Sequence, residues 1–157
     1  MKRVLFLCTR NDYRSRFSEC LFNDLATRKG LGWRASSRGL AINQPNDCPY
    51  DGVTRQAISS ALAKRGIMLS NSLRCPIQVS EVDLKSTNRI IAIEESIHRS
   101  LMQERHPAWV NTIEYWNIKD PSDDAVEHSL NQLEQQIQQL VKQLEALEIK
   151  LVPEYML

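Results

Sequence analysis

Val4-Leu5-Phe6-Leu7-Cys8-Thr9-Arg10-Asn11-Asp12-Tyr13-Arg14-Ser15 decides the fold of this 157-residue chain. Four consecutive apolar residues predict a buried strand that stops at a cysteine. Phe17, Leu21, Phe22 and Leu25 then recur at helical spacing, with Cys20 among them. The order is strand, short loop, helix, with a thiol where the strand ends and a guanidinium where the helix begins. Such a loop can turn successive backbone N–H groups into one concavity, a nest for an anion. The helix N-terminus adds partial positive charge. Arg14 can give two parallel hydrogen bonds to a tetrahedral oxyanion. Cys8 sits at the floor, where the same field favours thiolate over thiol and makes it a nucleophile near neutral pH. Ser15 can donate a hydrogen bond to the sulfur. The pattern predicts attack of Cys8 on phosphorus, with the phosphate held along Thr9, Arg10, Asn11, Asp12, Tyr13, Arg14 and Ser15.

The bulk properties narrow the classes. Hydrophobic content of 42% and charged content of 25% are ordinary globular values. The length suits one compact α/β domain over residues 1–157. A formal net charge of +1 gives no reason to expect nucleic acid or membrane as a partner. The charge is uneven: residues 1–40 hold nine Lys/Arg against three Asp/Glu, and residues 120–157 hold two against eight. A basic half around an anion site attracts phosphorylated substrates and inorganic phosphate. No apolar stretch reaches transmembrane length, and the apolar run after Met1-Lys2-Arg3 is too short for a signal peptide. Cys8, Cys20, Cys48 and Cys75 lack metal-ligand spacing, so neither a metal nor a cofactor is expected. They read as reduced thiols of a cytoplasmic protein.

Arg3 to Glu19 resembles the phosphate-binding loop and first helix of the low-molecular-weight protein tyrosine phosphatases. The family pattern is a hydrophobic strand, Cys-x-Gly-Asn-x-x-Arg-Ser-Pro, then a glutamate. Cys8, Asn11, Arg14, Ser15 and Glu19 match it. Arg10 stands where the family has glycine, Arg16 where it has proline, and Tyr13 where many members carry a second cysteine. The resemblance implies that a serine at the end of the second strand, here Ser37, bonds the loop asparagine, Asn11. It also implies a brace on the loop near Ser70-Asn71, where the family often has histidine, with Asn71 in that place.

Further along, Trp33 to Ser37 read as a strand closed by Arg38-Gly39, and residues 41–51 as a turn-rich loop with Tyr50 as an anchor. A helix is predicted over 52–64, a short capped turn or helix over 78–85 with Ser80 and Glu81 as its start, and a buried strand over 89–93. The next helix runs from Glu94-Glu95-Ser96 to about His106, with Ile97, Leu101 and Met102 inward and His98 on the surface. Thr112 to Trp116 predict a fourth strand. Asp120-Pro121 follows it. By itself this dipeptide reads as a helix N-cap with Pro at N1. The resemblance implies that Asp120 is the general acid. Where family members have a pair of tyrosines beyond it, this chain has Ser122-Asp123-Asp124, which leaves the substrate open between phosphoprotein and small phosphoester.

Residues from about 125 to 151 form a long helix in which Val126, Leu130, Leu133, Ile137, Leu140, Leu144, Leu147 and Leu151 step by fours and threes. The seam fits either packing on the sheet or a two-helix homodimer. The expected fold is a doubly wound α/β domain, a four-stranded, largely parallel sheet flanked by helices, with the phosphate loop after its first strand. The expected activity is metal-independent phosphomonoester hydrolysis through a phosphocysteine, with Cys8, Arg14 and Asp120 catalytic. Two alternatives stand. One is arsenate reduction, which uses the same loop but needs resolving cysteines, for which Cys48 and Cys75 are present. The other is a non-catalytic phosphate or phosphopeptide sensor, suggested by Arg10, Tyr13 and Arg16.

Overall fold

In the computed structural model, residues 1–42, 52–69, 74–120, 126–151 and 155 are described. The elements in order are β1 (Lys2–Cys8), α1 (Arg14–Lys29), β2 (Trp33–Gly39), α2 (Gly52–Ala63), α3 (Glu81–Lys85), β3 (Arg89–Ala92), α4 (Glu95–Arg105), β4 (Glu114–Tyr115) and α5 (Val126–Leu151). The sheet order is β2-β1-β3-β4, with every strand pair parallel.

β1 reads as an unbroken apolar run because both of its faces are covered, as parallel sheets require. Val4 and Phe6 face a core built with α1, α2 and α5. Leu5 and Leu7 face a second core with Leu84, Ile90, Met102 and Val110. The chain leaves β1 on one side to form β2 and returns on the other to form β3. The carboxyl end of β1 is therefore the point where strand order reverses, the place where such sheets open a crevice for ligands. Cys8 occupies that end.

α1 buries Phe17, Leu21, Phe22 and Ala26. It stops at Gly30, whose φ of +65° is the left-handed conformation that closes a Schellman motif. Gly30 N–H donates to Thr27 O, and Leu31 N–H donates to Ala26 O. α3 begins at the expected Ser80, whose hydroxyl accepts from Asp83 N–H while the Asp83 carboxylate accepts from Ser80 N–H.

Two expectations change. β4 is shorter than 112–116, because hydrogen-bonded turns from His106 to Thr112 carry the chain up to it. In α4 Leu101 and Met102 face the core as expected, but Ile97 is exposed and His98 is wholly buried in its stead. The seam of α5 lies inside the chain: Leu130, Leu133, Ile137, Leu140 and Leu144 pack in the core with α1, with Leu147 exposed. Of the two packings the spacing left open, the structure shows the one within the chain, where the a/d spacing is satisfied against the core. Among the described residues, no helix is long and apolar enough to cross a membrane.

Candidate active site

The loop between β1 and α1 is held from beneath by its own carbonyls. Cys8 O accepts from Leu40 N–H at 2.9 Å, and Thr9 O from Ala41 N–H at 2.8 Å. The close approach of β2 depends on Gly39, since a Cβ there would lie 3.1 Å from the Arg10 carbonyl carbon. Asn11 takes a φ of +54°, the sole positive value outside glycine among the described residues. Asparagine tolerates this region better than most L residues.

Residue Tyr13 precedes α1 without a side-chain capping bond. The Cys8 sulfur takes the place of a capping oxygen, accepting from the Ser15 backbone N–H. It also lies 2.8 Å from Ser15 Oγ. Asn11 Nδ2 donates to Ser15 Oγ at 2.8 Å and to Ser37 Oγ at 3.0 Å. Because Ser15 Oγ already accepts from Asn11, its hydrogen is free to point at the sulfur. Asn11 Oδ1 in turn accepts from Arg74 Nη1 at 3.0 Å and from Ile77 N–H at 3.1 Å, which fixes the orientation of the amide. Arg74 Nη2 also donates to Ser37 O and Ser37 Oγ. The result is a directed chain from Arg74 through Asn11 and Ser15 to Cys8.

The Ser37 and Ser15 expectations thus meet the structure directly. The brace on the loop asparagine comes from Arg74, which the sequence reading missed. Asn71 lies outside the described residues, as do Tyr50, Cys48 and Pro121 to Asp124.

Arg14, the first residue of α1, is almost wholly buried. Its Nη1 donates to Glu94 Oε1 and to Ile118 O, both at 2.7 Å. Those bonds occupy one nitrogen and leave the Nε–Nη2 edge as the fork available to an oxyanion. Nε stands 3.6 Å from Asp120 Oδ1, and the Asp120 side chain is 62% exposed. An anion on that edge would sit beside Asp120. At the rim Arg10 and Asp12 pair at 3.4 Å, and Tyr13 is half-buried against the α1 side of the core.

Opposing influences act on the Cys8 thiol. Burial pushes the thiol above its ordinary value, and it outweighs the lowering by the Ser15 hydroxyl, the Ser15 amide and Arg14. Asp12 adds a small push upward.

His98, expected on the surface, is fully buried under the loop. Its Nδ1 accepts from Glu94 N–H at 2.9 Å, and its Nε2 lies 3.2 Å from Thr9 Oγ1. Burial, then Arg14, lowers its pKa to about 4 against an opposing pull from Glu94. Spacing held a signal here, since Glu94, His98 and Met102 step by four along one face.

The four cysteines are not all reduced: Cys8 and Cys20 are free, and Cys75 is disulfide-bonded to a residue outside the described set. Cys20 is half-buried in α1, and burial first, then Glu19, raises its thiol to about 11. Arsenate reduction needs a second reactive thiol close to Cys8; Cys20, with its raised thiol, does not supply one, and Cys48 lies outside the described residues. Among the described residues no group of three His, Cys, Asp or Glu could hold a metal ion.

The family model for low molecular weight phosphotyrosine protein phosphatase matches residues 3–150. A curated relative, the low molecular weight protein-tyrosine-phosphatase YfkJ of Bacillus subtilis, is 35% identical over 96 residues, 60% of this chain and 57% of the relative. The match thus spans little more than half the length of that relative. The crystal structure of YfkJ superposes with a TM-score of 0.74 at 26% identity, covering 93% of this chain and 96% of that one. The YwlE arginine phosphatase of Geobacillus stearothermophilus superposes with a TM-score of 0.75 at 19% identity, covering 98% and 99%. With the family pattern matched across nearly its whole length and the fold shared end to end, the chain belongs to the low molecular weight phosphotyrosine protein phosphatase family.

Proposed function

We propose that this protein hydrolyses phosphomonoesters without a metal, through a phosphocysteine on Cys8. The observation that carries the reading is the placement of three groups. Cys8 Sγ ends β1 within hydrogen-bond distance of Ser15 Oγ, Arg14 at the start of α1 has its Nε–Nη2 edge clear of Glu94 and Ile118, and Asp120 borders that edge.

The substrate phosphoryl group enters as a dianion over the sulfur. Backbone amides from Thr9 to Arg14 and the Nε–Nη2 edge of Arg14 hold its equatorial oxygens as charge develops. Cys8 attacks as the thiolate; a proton resting on it passes to a phosphoryl oxygen as the substrate arrives and returns from the released phosphate when the S–P bond breaks. The S–P bond forms, the P–O bond to the leaving group breaks, and Asp120 gives its proton to the leaving oxygen. Ser15 donates to the sulfur whenever it carries charge. In the second half Asp120, now a carboxylate, takes a proton from the water that attacks phosphorus, and the S–P bond breaks. Thr9, Arg10, Asn11, Asp12 and Tyr13 shape the loop, and Asn11, Ser15 and Ser37 hold it.

Among the described residues the Arg10–Asp12 pair lines the rim, and in the sequence Asp120-Pro121 is followed by Ser122, Asp123 and Asp124 rather than a pair of tyrosines. The substrate is therefore to be sought on a panel that includes phosphotyrosine, small phosphoesters and phosphoarginine, on which the Geobacillus relative is described as acting.

The test is hydrolysis of p-nitrophenyl phosphate in EDTA by wild type, Cys8→Ser and Asp120→Ala. The serine variant should be inactive, and the alanine variant should lose about 100-fold or more. A wild type that binds phosphate but never turns over would make the protein a phosphate sensor instead.

A further inference from the structure

His98 makes two bonds, and the first determines the second. A backbone N–H can only donate, so Nδ1 facing Glu94 N–H carries no proton. The neutral ring then bears its hydrogen on Nε2, which donates to Thr9 Oγ1. The imidazole is wholly buried and is held uncharged by burial and by Arg14. It joins two parts of the site that are otherwise separate. One is Thr9, the first loop residue after the nucleophile. The other is Glu94, whose backbone starts α4 and whose carboxylate grips Arg14 Nη1. Arg74 clamps the loop at Asn11 from the β2 side, and His98 clamps it at Thr9 from the β3 side.

We propose that His98 is a positioning residue of the phosphate site, holding Thr9 and the Glu94–Arg14 pair in register through its two ring nitrogens. The inference rests on the phosphohydrolase reading above. His98 touches no reacting atom, so it acts through Thr9 and through Glu94.

The arms of the test separate these roles. Thr9→Val deletes the hydroxyl without changing shape, and Thr9→Ser keeps it. His98→Gln places an amide where Nε2 was, His98→Asn places one where Nδ1 was, and His98→Leu has neither. Each is assayed for kcat and KM with p-nitrophenyl phosphate and for orthovanadate affinity by calorimetry, with circular dichroism as the check on folding. His98→Leu and Thr9→Val should each lower kcat/KM about fivefold to tenfold, the weight of one buried hydrogen bond. Thr9→Ser should match wild type, and His98→Gln should recover more than His98→Asn. The double variant Thr9→Val/His98→Leu should lose much less than the product of the single losses.

Multiplying losses, or a folded Thr9→Val within twofold of wild type in both kcat/KM and vanadate affinity, would overturn the proposal. So would a His98→Leu variant that only melts earlier. If the wild type proves inactive, the phosphohydrolase reading fails by itself, and vanadate affinity across the same variants still decides the role of His98.

Discussion

Replacement of Glu94 by alanine tests the architecture of the site most sharply. Arg14 Nη1 and Glu94 Oε1 are 2.7 Å apart, with side chains 5% and 7% exposed. Removing one partner of so buried a pair leaves an uncompensated charge and typically costs about 3–5 kcal/mol. Two contacts soften the loss. Ile118 O still accepts from Nη1, and Asp120 still faces Nε at 3.6 Å. Asp120 is largely solvated, so its attraction offsets no more than about 1 kcal/mol. The expected cost of Glu94→Ala is therefore about 3 kcal/mol, read as a fall in ΔG of urea unfolding at neutral pH. In a chain of this length that corresponds to a drop in Tm of roughly 6–12 °C. Glu94→Gln keeps an acceptor for Nη1 and should lose about half as much. Vanadate affinity should fall in both, since the fork of Arg14 is no longer aimed. A Glu94→Ala protein within about 1 kcal/mol of wild type would refute the argument. It would mean that Arg14 finds solvent or a new partner once the carboxylate is gone.

Arg74→Met should lower kcat about tenfold and raise the pH at which iodoacetamide reacts with Cys8, because Asn11 no longer fixes the Ser15 hydrogen on the sulfur; an unchanged alkylation profile would count against the directed chain. Acid should destabilise the fold through His98. Its folded pKa of about 4 lies below the ordinary 6.5, so the unfolded chain binds more protons between those values. The contribution is complete above pH 6.5 and is lost towards pH 4, by ~3 kcal/mol in all, and His98→Leu should flatten that limb of an unfolding titration. Cys8 acts in the opposite sense: its raised pKa makes stability fall as pH rises beyond the ordinary thiol value of 9.0, a limb that Cys8→Ser should remove. Ser80→Ala breaks the capping box of α3 and should cost about 1 kcal/mol in thermal unfolding with activity unchanged.

What could be read in the sequence follows the reach of each interaction. Cys8 and Ser15 lie within eight residues of one another, and strand, loop and helix periodicity was enough to bring them together, while the role of Asn11 between them came from the family resemblance. Ser37 came from the family resemblance, because its partner is 26 residues away. Arg74, Glu94 and His98 reach the loop across 63, 80 and 89 residues, and no local pattern encodes such pairings. His98 was misread for a further reason. A polar residue on a short helix defaults to the solvent face, and only the i, i+4 steps to Glu94 and Met102 argued otherwise. The seam of α5 was read correctly as apolar. Its partner stayed open between the chain's own core and a second chain, since a/d spacing is the same for either facing surface.

The departures from the family pattern bear on whether this loop catalyses or only binds. Arg10 replaces a glycine, but its backbone does not need one: the positive φ falls at Asn11, and the close approach of β2 is provided by Gly39. The Arg10 side chain points outward, 62% exposed, with Asp12 beside it. Arg16 replaces a proline and is buried, donating Nη2 to the carbonyl of Arg74. Arg74 is the residue that clamps Asn11 and Ser37. Two of the substitutions that first suggested a sensor thus leave the loop geometry intact, and one of them supports the brace. A binding module needs the anion nest alone. It has no use for a hydrogen held on the Cys8 sulfur by Ser15, or for a carboxyl group set against the open edge of the phosphate-holding arginine. Under the phosphohydrolase reading proposed above, both fit a reaction in which sulfur gains charge and an oxygen leaves with a proton.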